Sequence, residues 1–157
     1  MNKRIILNSL IILSFFALSF AYFVEFILGH KPCNLCLIER IPYIGSLILI
    51  SFLIFINKWE KIILSTVLLL FIFGALISIY HIGIEQGVFS ESLLCELGLN
   101  SNIQNSDELL KTLEKTPISC KDVTFTIFGL SLATFNACLS FIVSYILFRL
   151  IFNNEQN

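Results

Sequence analysis

The stretch Ile62-Ile63-Leu64-Ser65-Thr66-Val67-Leu68-Leu69-Leu70-Phe71-Ile72-Phe73-Gly74-Ala75-Leu76-Ile77-Ser78-Ile79-Tyr80-His81-Ile82 decides the fold. It contains no Asp, Glu, Lys or Arg. Its apolar residues are continuous, without the alternation of a barrel strand, so it reads as a helix that satisfies its own backbone in lipid. A helix rises about 1.5 Å per residue, and about 20 residues cross a hydrocarbon core of about 30 Å. This run is long enough to do so.

Three further apolar segments lie around it, at about 5–28, 41–56 and 123–148. The one from Ile41 to Ile56 is short, and reaches a full span if its helix starts near Leu37. With 62–82 they make an all-α integral membrane protein, a four-transmembrane-helix bundle in a single domain over 1–157. Composition agrees. The chain is 57% hydrophobic and 13% charged, with a mean hydropathy of +0.89, whereas soluble domains are about half apolar and a quarter charged. A net charge of −1 gives no reason to expect nucleic acid. There are no internal repeats and no glycine-rich phosphate loop. A cleaved signal peptide competes for the first segment, since Lys3 and Arg4 precede it and Ser19 and Ala21 resemble a cleavage site. Its apolar run continues to Leu28, which is long for a signal.

Four spans put both termini and the linker 57–61 on one face. The other face receives a short loop, 29–40, and a long one, 83–122. Four of the five cysteines, Cys33, Cys36, Cys95 and Cys120, fall in those two loops. Charge does not orient the bundle. Lys3, Arg4, Lys58, Lys61 and Arg149 on the terminal face balance Lys31, Arg40, Lys111, Lys115 and Lys121 on the other. Long loops count for less in the positive-inside rule, and paired thiols persist as disulfides on the oxidising side. Both arguments place the cysteine loops outside. Within the long loop, Asn105 and Glu108 make a capping pair ahead of Leu109, Leu110 and Leu113, and Pro117 ends the run. A short amphipathic helix is expected there, on the membrane surface or solvated.

Pro32-Cys33-Asn34-Leu35-Cys36 holds a Cys-x-x-Cys motif, which serves redox and zinc sites alike. Tetrahedral zinc wants four ligands. Cys95 and Cys120 are far apart in sequence and the two histidines, His30 and His81, have no zinc-site spacing, so no metal is expected. An inert structural staple is the other bland reading. The context favours redox chemistry. If a helix begins near Leu37, Cys36 sits at its N-terminus, where the macrodipole favours a thiolate. Arg40 shares the face of Cys36 and would lower its pKa further, while Glu39 opposes this unless it turns away. Cys95 and Cys120 could tie down the long loop, although four cysteines allow three pairings. Exchange between two pairs on one face would proceed by thiolate attack through mixed disulfides.

Glu25, Arg40 and His81 are ionisable residues near the cysteine-bearing face, functional candidates by default. Snorkelling explains Glu25, and interfacial anchoring explains His81, without function. Grouped with a redox motif they point to an apolar ligand with polar ends, such as a quinone. In the last span Gly129, Ala133 and Ala137 recur as a small-residue packing face, with Asn136 as an interhelical hydrogen bonder. Cys138 is expected to be a buried small hydrophobe.

These residues resemble the bacterial DsbB family of disulfide bond formation proteins. The resemblance rests on Pro32-Cys33-Asn34-Leu35-Cys36-Leu37-Ile38-Glu39-Arg40, on Tyr80-His81-Ile82-Gly83-Ile84-Glu85, on Cys95 and Cys120, and on Phe128-Gly129-Leu130-Ser131-Leu132-Ala133-Thr134-Phe135-Asn136. It covers nearly the whole chain. It implies an enzyme of the bacterial inner membrane with its cysteine loops in the periplasm. Cys95 and Cys120 would form the disulfide offered to a reduced thioredoxin-fold partner like DsbA, with Cys95 attacked first. Cys120 would exchange with Cys33, and Cys36 would pass electrons to ubiquinone or menaquinone. The resemblance implies quinone-site roles for Arg40 and His81. Vitamin K epoxide reductase is similar in bundle and chemistry, but its Cys-x-x-Cys follows the last core span, whereas here it follows the first. A non-enzymatic tetraspan scaffold with stapled loops is the remaining alternative.

Overall fold

A computed structural model describes residues 3–55, 59–90, 119–121, 126–127 and 129–153. The elements are α1 (Lys3–Phe26), α2 (Asn34–Ile38), α3 (Ile41–Phe55), α4 (Glu60–Glu85), β1 (Thr126–Ile127), β2 (Leu130–Ser131) and α5 (Leu132–Asn153). Four helical stretches are long and apolar enough to cross a membrane: Lys3–Phe26, Asn34–Phe55, Glu60–Glu85 and Leu132–Phe152. The chain is therefore a four-span bundle, as its composition requires.

Helix α1 packs on α3, α3 on α4, and α4 on α5. One cluster joins all four, with Leu10 from α1, Ile50 from α3, Val67 and Phe71 from α4, and Val143 and Leu147 from α5. Large apolar side chains such as Phe15, Phe55, Leu69 and Tyr145 point outward. Lipid would cover these, and lipid is as apolar as they are, so helix association rests on close packing and interhelical hydrogen bonds. Both are present. A Cβ on Gly74 would lie 2.8 Å from Pro42 Cγ, so α3 and α4 touch where that glycine sits. Tyr43 donates to Asn136 Oδ1, and Asn136 Nδ2 donates to Ser78 Oγ at 2.7 Å, tying α3, α5 and α4 together. The bridging role expected of Asn136 is thus observed.

Lys3 and Glu60 form an ion pair where α1 and α4 begin. At the opposite end Glu25 of α1 meets Arg40. The ends of the helices are therefore sorted as span counting requires, with Cys33 and Cys36 at the end away from Lys3.

Several boundaries differ from the sequence expectation. The second span starts at Asn34 rather than Ile41, so Asn34–Ile38 of the expected short loop is helical. A break at Glu39 and Arg40 separates α2 from α3. Pro42 explains it, because its ring clashes with the carbonyl of Ile38 and it offers no N–H to it. The last helix starts at Leu132, not near Val123. Ahead of it, Thr126 pairs with Ser131 and Ile127 with Leu130 in a short antiparallel ladder. Gly129 lies in that turn, with φ +80°, so it is not part of the helical packing face, whereas Ala133 and Ala137 are buried as expected. Cys138 is exposed on the outside of the bundle rather than buried. It follows Ala137 by one residue, and each helical step turns about 100°. The amphipathic helix expected around 105–117, and Cys95, lie outside the described residues.

Candidate active site

The site is built at the N-terminus of α2. Cys33 is the N-cap, in extended conformation, and its sulfur accepts the backbone N–H of Cys36 at 3.3 Å. Leu35 between them is fully buried and pins the turn to the bundle. The helix thus begins earlier than the expected start near Leu37, and the change is chemical. It is Cys33, not Cys36, that receives the cap position and the end of the macrodipole.

The two sulfurs are 2.7 Å apart. Cys33 is buried, at 6% exposure, in a cluster with Leu35, Ile84 and Cys120. Cys120 is disulfide-bonded, and Cys33, Cys36 and Cys138 are the free cysteines among the described residues. Cys36 is only partly buried and lines a cavity.

His81 comes to Cys33 from α4. Its Nε2 is 3.5 Å from Cys33 Sγ, and its Nδ1 is 3.0 Å from Glu39 Oε1. A carboxylate only accepts, so Nδ1 carries the hydrogen. Glu85, one turn further along α4, has Oε1 3.8 Å from Nε2. The end of α4 holds this geometry. Val88 N–H bonds Gly83 O at 2.8 Å and Gly87 N–H bonds Ile84 O at 3.0 Å, closing the helix as a Schellman motif with Gly87 at φ +74°. Phe89 folds back over Gly83, where a Cβ would lie 2.2 Å from its ring, and stacks on Tyr80. The hydrogen bond from Cys36 and, behind it, the hydrogen bond and charge of His81 hold the Cys33 thiol well below its ordinary range, against the opposing effect of burial.

On the other side of the pair, Arg40 donates from Nη1 to Glu25 Oε2 at 2.6 Å and lies 4.9 Å from the centre of the Tyr22 ring. A cavity of about 400 Å³ opens there, walled by α1, α2, α3 and α5. Phe16, Phe20 and Leu139 give it apolar walls, and Cys36, Arg40 and Asn136 supply polar edges. That suits a planar apolar ring with polar oxygens, and the volume lies within the usual range for small-molecule sites. A quinone ring therefore fits the residues present.

Sequence reasoning brought together Cys33, Cys36, Arg40 and His81, and the structure does so too. It divides them between two sides. Arg40 lines the cavity, whereas His81 contacts Cys33 and Glu39 and is not part of the lining. Glu39 accepts from His81 while still facing the cavity beside Cys36, and its importance was underestimated. Tyr43 was not anticipated at all. A signal existed, because Cys36, Glu39, Arg40 and Tyr43 are spaced as one helical face and all four line the cavity. The two sulfurs and His81 Nε2 lie within 4.8 Å of one another. Among the described residues these are three candidate ligand atoms, whereas tetrahedral zinc takes four.

A four-span membrane protein with a capped Cys-x-x-Cys between a disulfide-bonded cysteine and an apolar cavity has the makings of a membrane dithiol site. The family profile described as "Disulfide bond formation protein DsbB" matches residues 3–150. The chain belongs to the DsbB family, whose work is membrane disulfide bond formation. It is also similar to the uncharacterized protein RP370 of Rickettsia prowazekii, at 28% identity over 152 residues, covering 94% of this chain and 87% of that protein. No solved structure matches it.

Proposed function

We propose that the protein reoxidises a thioredoxin-fold dithiol partner like DsbA in the periplasm and passes the electrons to ubiquinone or menaquinone in the bacterial inner membrane. The observation that carries this reading is the division of the cysteine pair: Cys33 is buried beside Cys120, while Cys36 faces the apolar cavity. Electrons entering through a loop disulfide reach Cys33, and those leaving the pair do so at Cys36.

In this reading Cys95 and Cys120 form the disulfide that the partner attacks, with Cys95 the first target. The thiols so formed reduce the Cys33–Cys36 disulfide and regenerate the loop disulfide. The quinone, when bound, supplies a two-electron, two-proton sink. Arg40 holds positive charge at the edge of the cavity that Cys36 also lines, fixed by Glu25 and Tyr22, where it attracts a polar quinone oxygen. Phe16, Phe20 and Leu139 exclude water from the ring. His81 acts on Cys33, from the side away from the cavity.

The test mixes purified protein, loaded with quinone in lipid, with reduced partner. Quinol formation and partner oxidation should proceed together and disappear in Cys33→Ser and Cys95→Ser. Unchanged quinol formation in either variant refutes the relay. Labelling of Cys95 by an impermeant thiol reagent after reduction of intact cells checks the periplasmic placement, and labelling only from the cytoplasmic side refutes it.

A further inference from the structure

Closing the Cys33–Cys36 disulfide releases two protons as well as two electrons. Cys36 lines the cavity and can give its proton there directly. Cys33 has no such access. It is buried and absent from the cavity wall, and its sulfur touches only Cys36 and the Nε2 of His81 among the described polar contacts. His81, at 3% exposure, has its other nitrogen on Glu39. Glu39, itself 7% exposed, does line the cavity. Sulfur, imidazole and carboxylate thus form an unbroken hydrogen-bonded chain from the buried thiol to the ligand space.

We propose that His81 and Glu39 are a proton relay from Cys33 to the cavity, so that the proton of Cys33 and the electrons of the pair leave by different routes. The inference rests on the quinone reading above. In the reduced protein His81 Nε2 already holds the proton of Cys33, and as the disulfide closes the proton on Nδ1 passes to Glu39. The Cys33 sulfur bonds to the Cys36 sulfur as the electron pair leaves from Cys36 into the quinone. The proton from Glu39 and the one from Cys36 complete the quinol. One disulfide forms, two thiol protons leave the pair, and one quinone gains two electrons and two protons. An imidazole suits the middle position because it accepts at one nitrogen while donating at the other.

Among the described residues, the charged and titratable groups facing His81 are Cys33, Cys36 and Glu39 from the α2 side and Glu85 from its own helix. Glu85 is beyond hydrogen-bond distance of Nε2 and outside the cavity wall, so it offers no exit to the ligand. A purely structural His81–Glu39 pair would need only the hydrogen bond, which a glutamine keeps. Proton transfer needs the acid.

The experiment compares wild type, Glu39→Gln and Glu85→Gln in lipid nanodiscs. In quinone-free reduced protein, ultraviolet thiolate absorbance is titrated against pH. Without the carboxylate the thiolate–imidazolium pair is less favoured, so the midpoint of Cys33 should move up in Glu39→Gln. In quinone-loaded protein, single-turnover quinol formation should slow by about 100-fold or more in Glu39→Gln, the usual weight of a positioned acid–base group. It should stay within about twofold in Glu85→Gln. Wild type alone should show a curved dependence of rate on deuterium fraction, as expected for more than one proton in flight. The circular dichroism spectrum and thermal unfolding of Glu39→Gln in nanodiscs should match wild type, which verifies its fold. An unmoved thiolate midpoint, an unchanged quinol rate in Glu39→Gln, or a linear deuterium dependence overturns the relay. Wild type that forms no quinol at all would instead refute the quinone reading itself.

Discussion

Arg40→Ala gives a direct test of the cavity. The guanidinium and its partner Glu25 are largely withdrawn from solvent, with side chains 12% and 23% exposed, so screening by water is limited. Glu25 engages Nη1, and an arginine has five N–H donors, which leaves others for the cavity that Arg40 lines. A hydrogen bond to a charged group contributes about 1.5–3 kcal/mol. Each 1.4 kcal/mol is a factor of about ten in affinity. Removing Arg40 should therefore weaken quinone binding by roughly 10- to 100-fold. The Kd for the thioredoxin-fold partner should stay within about twofold, because that partner meets the loop cysteines. The assay is quinone retention in nanodiscs against titrated free quinone, beside calorimetry with the partner. Glu25→Gln separates two roles of the arginine. If the cation acts on the quinone, releasing it from Glu25 leaves affinity equal or higher. If Arg40 only anchors α1 to α3, both variants weaken binding alike. Quinone affinity unchanged in Arg40→Ala, or equal losses in the two variants, refutes the reasoning.

Asn136→Ala leaves the Tyr43 hydroxyl and Ser78 Oγ without the amide that joins them. Ser78 Oγ keeps its bond to Gly74 O, so at about 1–3 kcal/mol for the buried Tyr43 hydroxyl, unfolding in mixed micelles should show a loss of about 1–3 kcal/mol, and no loss would remove the bridge from the account. The thiolate of Cys33 in the reduced protein is held below its ordinary range, so it should persist as pH falls to about 6, where an ordinary thiol is protonated. His81→Asn should raise the midpoint only part of the way, because the hydrogen bond from Cys36 remains, and an unchanged midpoint would exclude the histidine as a contributor. In Cys36→Ser, Cys33 remains buried beside Cys120. A Cys33–Cys120 mixed disulfide should therefore accumulate after addition of reduced partner, visible by non-reducing peptide mapping, and its absence would break the assigned order of exchange.

The span count and the face shared by the cysteines were legible in the sequence because lipid demands long uncharged runs, and 62–82 meets that demand unaided. The start of the second span was not, because hydropathy gives no weight to Asn34 or Cys36 as helical residues. Capping decides that boundary, and a cysteine sulfur as N-cap is outside the usual cap residues. Gly129 and Cys138 were misplaced for a related reason. A continuous apolar run hides both the register of a helix and the turn before it, so the small residues that pack, Ala133 and Ala137, could not be told from those that do not. Arg40 was found through its spacing from Cys36. Glu39 was seen as a charge opposing the thiolate, since spacing along one helix cannot reveal that α4 brings His81 to meet it.

The asymmetry of the pair explains why a buried histidine and glutamate stand behind Cys33 rather than Cys36. A sulfur on the cavity wall exchanges protons with whatever occupies the cavity. A sulfur sealed among Leu35, Ile84 and Cys120 cannot, yet it must lose its proton each time the pair closes. Opening that cluster to water would expose the exchange between Cys33 and the loop disulfide. Leaving the thiol without a base would slow its attack, because only the thiolate is nucleophilic. A buried ion pair costs desolvation and is weak evidence of stability on its own. At this position it meets a chemical need that the surrounding packing creates, and His81 and Glu39 sit where that need arises.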